Sequence, residues 1–313
     1  MGPGSLHMGR ENVHHGWSPD QPPFLTVDSG TEITVATVDA SGGQLVPGST
    51  AASVGAMDFD RVNPINGPVY VNGARPGDVL QVDILAVEPG TFGWTAIIPG
   101  FGLLSDRFAE PWLHIWDFDG GAAVFTDGIR VPLQPFCGVL GVAPAAPGRH
   151  SVIPPRRVGG NLDTRQLGPG TTLYLPVEVD GALFSVGDTH GAQGDGEVCG
   201  TAIEGSMAVT LRLSVRRDLV IDTPEFDVHG PLERAGAAAA GYHATTGIGP
   251  DLLGATRQSV LRMIGYLERH RGLTAESAYA LCSVAVDLRI SEVVDAPNWV
   301  VSAFLPQDLF APR

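Results

Sequence analysis

Residues 187–204 read GDTHGAQGDGEVCGTAIE, the densest group of carboxylates and imidazole in the chain. The run leaves an apolar stretch, 182–186 (ALFSV), and at once presents Asp188 and His190. In extended backbone, residues two apart project to the same side. The same spacing relates Asp195 to Glu197, and Glu204 follows on what reads as a returning strand. Carboxylate oxygen with imidazole nitrogen is a donor set for zinc, manganese or a similar divalent ion. A carboxylate not spent on the ion could carry protons to and from water. Glycines at 187, 191, 194, 196 and 200 let the backbone fold tightly around a small ligand. Read without chemistry, the run is a solvated acidic turn with an incidental histidine, because its spacing alone matches no metal template.

Three more stretches hold residues able to act. GGNLD at 159–163, followed by Arg165, offers Asn161 and Asp163; an Asx turn accounts for it equally well. HHGWSPD at 14–20 brings His14 next to an aromatic residue, either toward a site or in an N-terminal tail. Residues 92–118 hold Trp94, Trp112 and Trp116 among Pro and Gly. They read as an aromatic-rich loop packed on the core, or as one wall or lid of a substrate pocket.

What is missing narrows the chemistry. All 19 basic side chains are Arg and none is Lys. That excludes a P-loop, a Schiff-base enzyme and the amide-cleaving designs that depend on Lys. Neither a GxSxG elbow nor an HExxH helix is present. Cys137, Cys199 and Cys282 are widely spaced and form no CxxC pair; they read as small buried hydrophobes in a reducing cytoplasm. Cys199 as a nucleophile has no local base. A net charge of −15 without a basic patch argues against nucleic acid as a partner. No run of about 18 apolar residues argues for a membrane span, and the N-terminus does not read as a secretory signal.

The elements that must position these groups are mostly strands. Alternation at 31–39, 78–87, 171–179 and 206–215, with 41 Gly and 25 Pro as punctuation, predicts a strand-rich first two thirds. A 3.6-residue period appears only over 251–270, with a second helix over 274–286 capped by Thr274. A last strand is expected at 299–305. The expected class is α+β and β-rich, with late C-terminal helices. Residues 1–8 (MGPGSLHM) read as a cloning scar and are set aside, leaving 9–313 as one catalytic domain with a sub-lobe boundary near 220.

On these runs the chain resembles the acetamidase/formamidase family. GGNLD, LYLPVEVDGALFSVGD, the D-x-H-x-x-QGDGE run and the closing AIE follow one another at that family's spacing, and QGDGE in this setting is specific. PINGPVYVNGARPGDVL upstream, and TTGIGPDL with AYALCSVAVDLRISEVVDAPN downstream, extend the likeness over roughly residues 14–305. The resemblance implies a β-sandwich or barrel lobe, hydrolysis of short amides such as formamide or acetamide, a divalent ion (zinc first, then manganese or calcium), and a homo-oligomer. Carried over, Asp163, Asp188 and His190 are the metal-ligand candidates. Glu197 is the general base or acid, with Asp195 and Glu204 in support. His14, Asn161, Gln193 and Trp94 are substrate-side candidates. The ion would polarise the amide carbonyl or acidify water, and backbone N–H groups around 191–196, or Asn161, would stabilise the oxyanion.

Two departures bear on the pocket walls, and so on which amide fits. Val158 stands where many formamidases have His before GGN, and 118–150 is short beside the longer formamidases. The acetamidase branch or a specialised relative is therefore expected over a strict formamidase. Two rivals remain. One is a tailoring hydrolase of a larger amide or lactam. The other is a non-catalytic β-sandwich whose acidic loop binds calcium, which would leave Glu197 on the surface.

Overall fold

The Met207–Arg216 strand shows how the sequence pattern becomes structure. Met207, Val209, Leu211 and Leu213 are buried while the residues between them are not. This strand lies between Thr31–Ala36 and Val79–Pro89, with Val209 opposite both Val35 and Val87. The computed structural model describes residues 6–126, 128–229 and 241–310. Thr172–Pro176 and Glu225–Asp227 extend the sheet on one side, and Leu6–Met8 on the other. The last of these corrects an expectation. Residues 6–8, set aside from the fold, pair in parallel with Thr31–Ala36, and Met8 is buried in the core.

A second sheet runs Gly159–Asn161, Phe136–Gly141, Phe184–His190, Ile65–Val71 and Val13–His14, with Leu25–Val27 also pairing Ile65–Val71. Its central strands are buried nearly throughout, as befits a sheet covered on both faces. One face shares an apolar core with the first sheet, where Val69, Phe184 and Val186 join Ile33, Leu80 and Leu211. The other carries Trp17, Ile65, Val139 and Val152. The lobe is a sandwich of open sheets, and none of them closes into a barrel.

Residues 92–118, read as a loop, are largely strand. Phe92–Ile97, Trp112–Asp119, Ala122–Thr126 and Ile129–Pro132 make a four-stranded antiparallel sheet. Its core is shared with the C-terminal helices: Ile97, Trp116 and Phe125 pack with Val260, Met263 and Tyr279. The Leu252–Arg271 helix begins at Asp251, whose side chain accepts from the Gly254 N–H, and ends at left-handed Gly272. Thr274 caps the Ala275–Ala285 helix as expected. Tyr242–Gly249, Trp299–Pro306 and Asp287–Glu292 form the last sheet. No helix among the described residues is long and apolar enough to cross a membrane.

Candidate active site

Asp188 and His190 close the Phe184–His190 strand, both buried. The backbone then folds through 191–200 and returns at Glu204, whose N–H and carbonyl pair with the carbonyl and N–H of Trp94. Glu204 is thereby fixed opposite His190. Asp163 arrives from the far edge of the same sheet, just past Gly159–Asn161. Gly138 makes room for this convergence. A Cβ there would stand 2.6 Å from Asp163 Oδ1 and 2.9 Å from Asp188 Oδ2, closer than side-chain carbon and oxygen can approach.

The polar atoms that meet here face one another without hydrogen bonds. His190 Nε2 lies 3.3 Å from Asp188 Oδ1 and 3.2 Å from Glu204 Oε2. The geometry makes no hydrogen bond at that nitrogen, and Glu204 Oε2 and Asp163 Oδ1 are likewise buried without one. The opposite ring nitrogen is well held. Gln193 donates its amide N–H to the Asp163 carbonyl at 2.7 Å, so its Oε1 faces His190 Nδ1 at 2.9 Å and accepts the Nδ1–H. With Nδ1–H given to Gln193, Nε2 is the nitrogen left facing the carboxylates, which favour a proton there; once deprotonated it would ligate a metal, with Gln193 as its oriented outer partner. Ligand atoms of Asp163, His190 and Glu197, and of Asp188, His190 and Glu204, lie within 4.8 Å of one another in each set.

Backbone strain marks the same residues. Asp163, Asp188 and Glu197 have φ of 45°, 51° and 42°, a left-handed region that non-glycine residues seldom adopt and that clusters at functional sites. The charge balance is also unusual. Burial, then the Asp188 charge, pushes the Asp163 carboxyl up to about 7. Burial lifts Glu204 to about 7 against the pull of His190. Glu197 is driven well above its usual value by burial and by Asp163. His190 is raised although burial opposes it, because Glu204 and Asp188 face it. Four carboxylates around one imidazole cannot all stay charged without a cation.

This floor opens into a cavity of about 500 Å³, with Asp163, Asp188, Glu197 and Glu204 on its lining. Trp94 forms part of the wall, held by an indole N–H bond of 2.9 Å to Asp39. Asn161 also lines it and donates to Asp163 at 2.7 Å. Asn63, beside Asn161, was not singled out from sequence. It sits just before the Ile65–Val71 strand, where the sequence carries no local spacing that distinguishes a site from an ordinary turn.

Other candidates fall elsewhere. Asp195 points away from the cavity into an ion pair with Arg165 at 2.9 Å, and Arg165 also holds Asp287 at 3.1 Å. His14 lies off the cavity on the Val13–His14 strand, bonded to the Gly16 carbonyl at 2.7 Å and to Ser185 at 2.9 Å. Burial lowers its pKa to about 4. Gln193 orients His190 and does not line the cavity. None of residues 191–196 lines the cavity, and three of their N–H groups are already used: Gly191 donates to Ile203, Gly194 to Ser283 and Asp195 to Asp287. Of the oxyanion donors expected, Asn161 is the one that faces the cavity. Cys199 is buried, its thiol set against the Ala96 and Thr201 carbonyls, and burial raises its pKa. That environment opposes a thiolate nucleophile. Val158 is buried in the sandwich core, where an imidazole would need a partner.

The family model described as Acetamidase/Formamidase family matches residues 5–151 and 145–312. A formamidase of Methylophilus methylotrophus is 30% identical over 95% of this chain and 89% of its own length. An acetamidase of Mycolicibacterium smegmatis is 32% identical over 61% of this chain and 63% of its own. Among solved structures, a gamma lactamase from Delftia acidovorans superposes with a TM-score of 0.87 at 28% identity, covering 96% of this chain and 91% of that one. An acetamidase from Bacillus halodurans gives 0.70 at 33% identity, covering 96% and 97%. The chain belongs to the acetamidase/formamidase family.

Proposed function

We propose that this protein is an amidase that hydrolyses small aliphatic amides, of the acetamide and formamide type, to ammonia and a carboxylate, with a divalent ion on the carboxylate floor. The observation that carries the reading is the convergence of three buried atoms that make no hydrogen bond, His190 Nε2, Glu204 Oε2 and Asp163 Oδ1, beneath a cavity lined by Asp163, Asp188, Glu197 and Glu204. Asp188, His190 and Glu204, with Asp163 beside them, are the residues that would hold the ion. Their mixed oxygen and nitrogen donors suit zinc first and manganese next. When bound, the ion supplies positive charge that stabilises a developing oxyanion and makes nearby water more acidic.

The chain's own residues handle position and protons. Glu197 borders the cavity, and its carboxylate takes the proton from the attacking water. The water oxygen adds to the amide carbon, the C–N bond breaks, and Glu197 returns the proton to the departing nitrogen as ammonia leaves. A carboxyl raised by burial is suited to both halves of this exchange. The second N–H of Asn161 is available to the carbonyl oxygen as negative charge builds there.

Two secondary features complete the reading. All three cysteines are free and buried, which supports a cytoplasmic setting. Exposed Ile248, Leu253, Ile290 and Val294, around the last sheet, support a homo-oligomer. The rival calcium-module reading expects an exposed Glu197, whereas this residue is half-buried in the cavity wall. A hydrolase of a larger amide or lactam would share the same floor, and the overlay on a gamma lactamase supports it as the second reading.

The test is ammonia release from formamide, acetamide and propionamide. Release that stops on chelation and returns with one divalent ion is expected. Turnover indifferent to chelation would remove the metal, and silence with folded, ion-loaded protein would remove small-amide hydrolysis.

A further inference from the structure

The cavity is much larger than the amides just named require. Acetamide has four non-hydrogen atoms and occupies on the order of 100 Å³, taking about 30 Å³ per water-sized group. The cavity measures about 500 Å³, within the span of pockets that enclose drug-sized ligands. An acetamide bound at the floor would leave most of that space to water.

The polarity of the walls says what should fill it. The carboxylates lie at the floor, and above them Met57, Phe59, Ile98, Phe101 and Ile153 line the remaining space. These apolar side chains come from three separate parts of the sequence. Phe59, Phe101 and Ile153 are 54%, 45% and 43% exposed. A lone exposed apolar residue needs no explanation. Several converging on one cavity, over reactive groups, mark a surface that something apolar covers. The Phe101 ring is also seated against the floor segment: a Cβ on Gly200 would stand 2.5 Å from Phe101 Cδ1. Gly200 has φ of 90°, so both space and conformation favour glycine there.

We propose that the cavity is a funnel for a carboxamide with a bulky apolar body, in which Phe59, Phe101 and Ile153 select the body and the floor cleaves the C–N bond. The proposal rests on the amide-hydrolase reading above and assigns its substrate class. Acetamide is a poor fit in this account, turned over but not preferred. The body can be the acyl chain of a primary amide or the ring of a lactam, since both present the same carbonyl and nitrogen to the floor.

The experiment is a series of kcat/KM values on the ion-loaded wild-type protein. It covers formamide, acetamide, butanamide, hexanamide and cyclohexanecarboxamide, with an alkyl-substituted γ-lactam scored by ring opening. Each methylene that leaves water is worth about fourfold, so hexanamide should exceed acetamide by at least about tenfold. Turnover of the lactam alone would support the proposal and identify a ring as the body. Turnover of the long linear amides alone would support it and identify a chain. Phe101→Ala and Ile153→Ala should each lower the hexanamide-to-acetamide ratio by about tenfold, as expected for a partly buried apolar contact. A series that peaks at formamide or acetamide would overturn the funnel while leaving amide hydrolysis standing. No cleavage of any member would overturn both.

Discussion

Asp195 and Glu197 are two residues apart and end in opposite kinds of environment. Asp195 belongs to a closed ionic cluster. Arg165 bonds it at 2.9 Å and Asp287 at 3.1 Å, Gln166 adds a bond to Asp195, and the Asp195 N–H donates to Asp287. Glu197 belongs to the floor, where four carboxylates face one imidazole, three polar atoms make no hydrogen bond and three residues carry left-handed φ. The fold bonds the first cluster with its own residues and leaves the second open. Buried carboxylates without a matching cation must hold protons or bind an ion. One cluster therefore serves the fold, and the other fits the divalent ion proposed for it.

The strongest way to break that contrast is Glu197→Gln. The substitution keeps size and removes the proton carrier. It should lower kcat by about 10²–10⁴-fold, the usual weight of general acid–base catalysis, with unchanged thermal unfolding. Near wild-type turnover would move Glu197 to a structural role. Arg165→Met is the reciprocal test on the closed cluster. It strands two carboxylates and should cost about 3–5 kcal/mol in urea unfolding. Any loss of activity should follow the loss of folded protein. A stable Arg165→Met protein with selectively reduced kcat would instead join the two clusters into one site.

The contrast was half legible in the sequence. Asp188, His190, Glu197 and Glu204 lie within one short run, and strand periodicity already placed Asp188 and His190 together. The pairing of Asp195 with Arg165 could not be read, because alternation gives equal standing to two carboxylates two residues apart. Only the left-handed backbone at Gly196 and Glu197, with φ of 110° and 42°, sends them different ways. The long strands and both helices were visible because their periods run over many residues. The sheet spanning 92–132 was not, since Gly, Pro and Trp interrupt its short strands. Asn63 and the apolar walls join the site through tertiary contacts alone. His14 was placed near the site by likeness, yet its bonds to Gly16 and Ser185 tie it to the sandwich.

The finest test of the contrast is the pH dependence of stability. Without an ion, Asp163 and Glu204 stand at about 7 against ordinary values of 3.8 and 4.5. The folded state then holds protons that the unfolded chain has released. Their contribution is full below the ordinary carboxyl range and is lost as pH rises through about 7. His14 acts in the other direction. Held at about 4 against 6.5, it contributes above 6.5, and that contribution is lost as pH falls through about 4. The wild-type curve in chelator sums these effects, so the informative quantity is its difference from Asp163→Asn. The variant should lose less stability between pH 4 and 7, the window set by the Asp163 shift. A saturating divalent ion should reverse the wild-type slope, because protons compete with it for the same carboxylates. Superimposable curves for wild type and variant would mean that the floor is as well balanced as the Arg165 cluster, and the distinction between the two would fail.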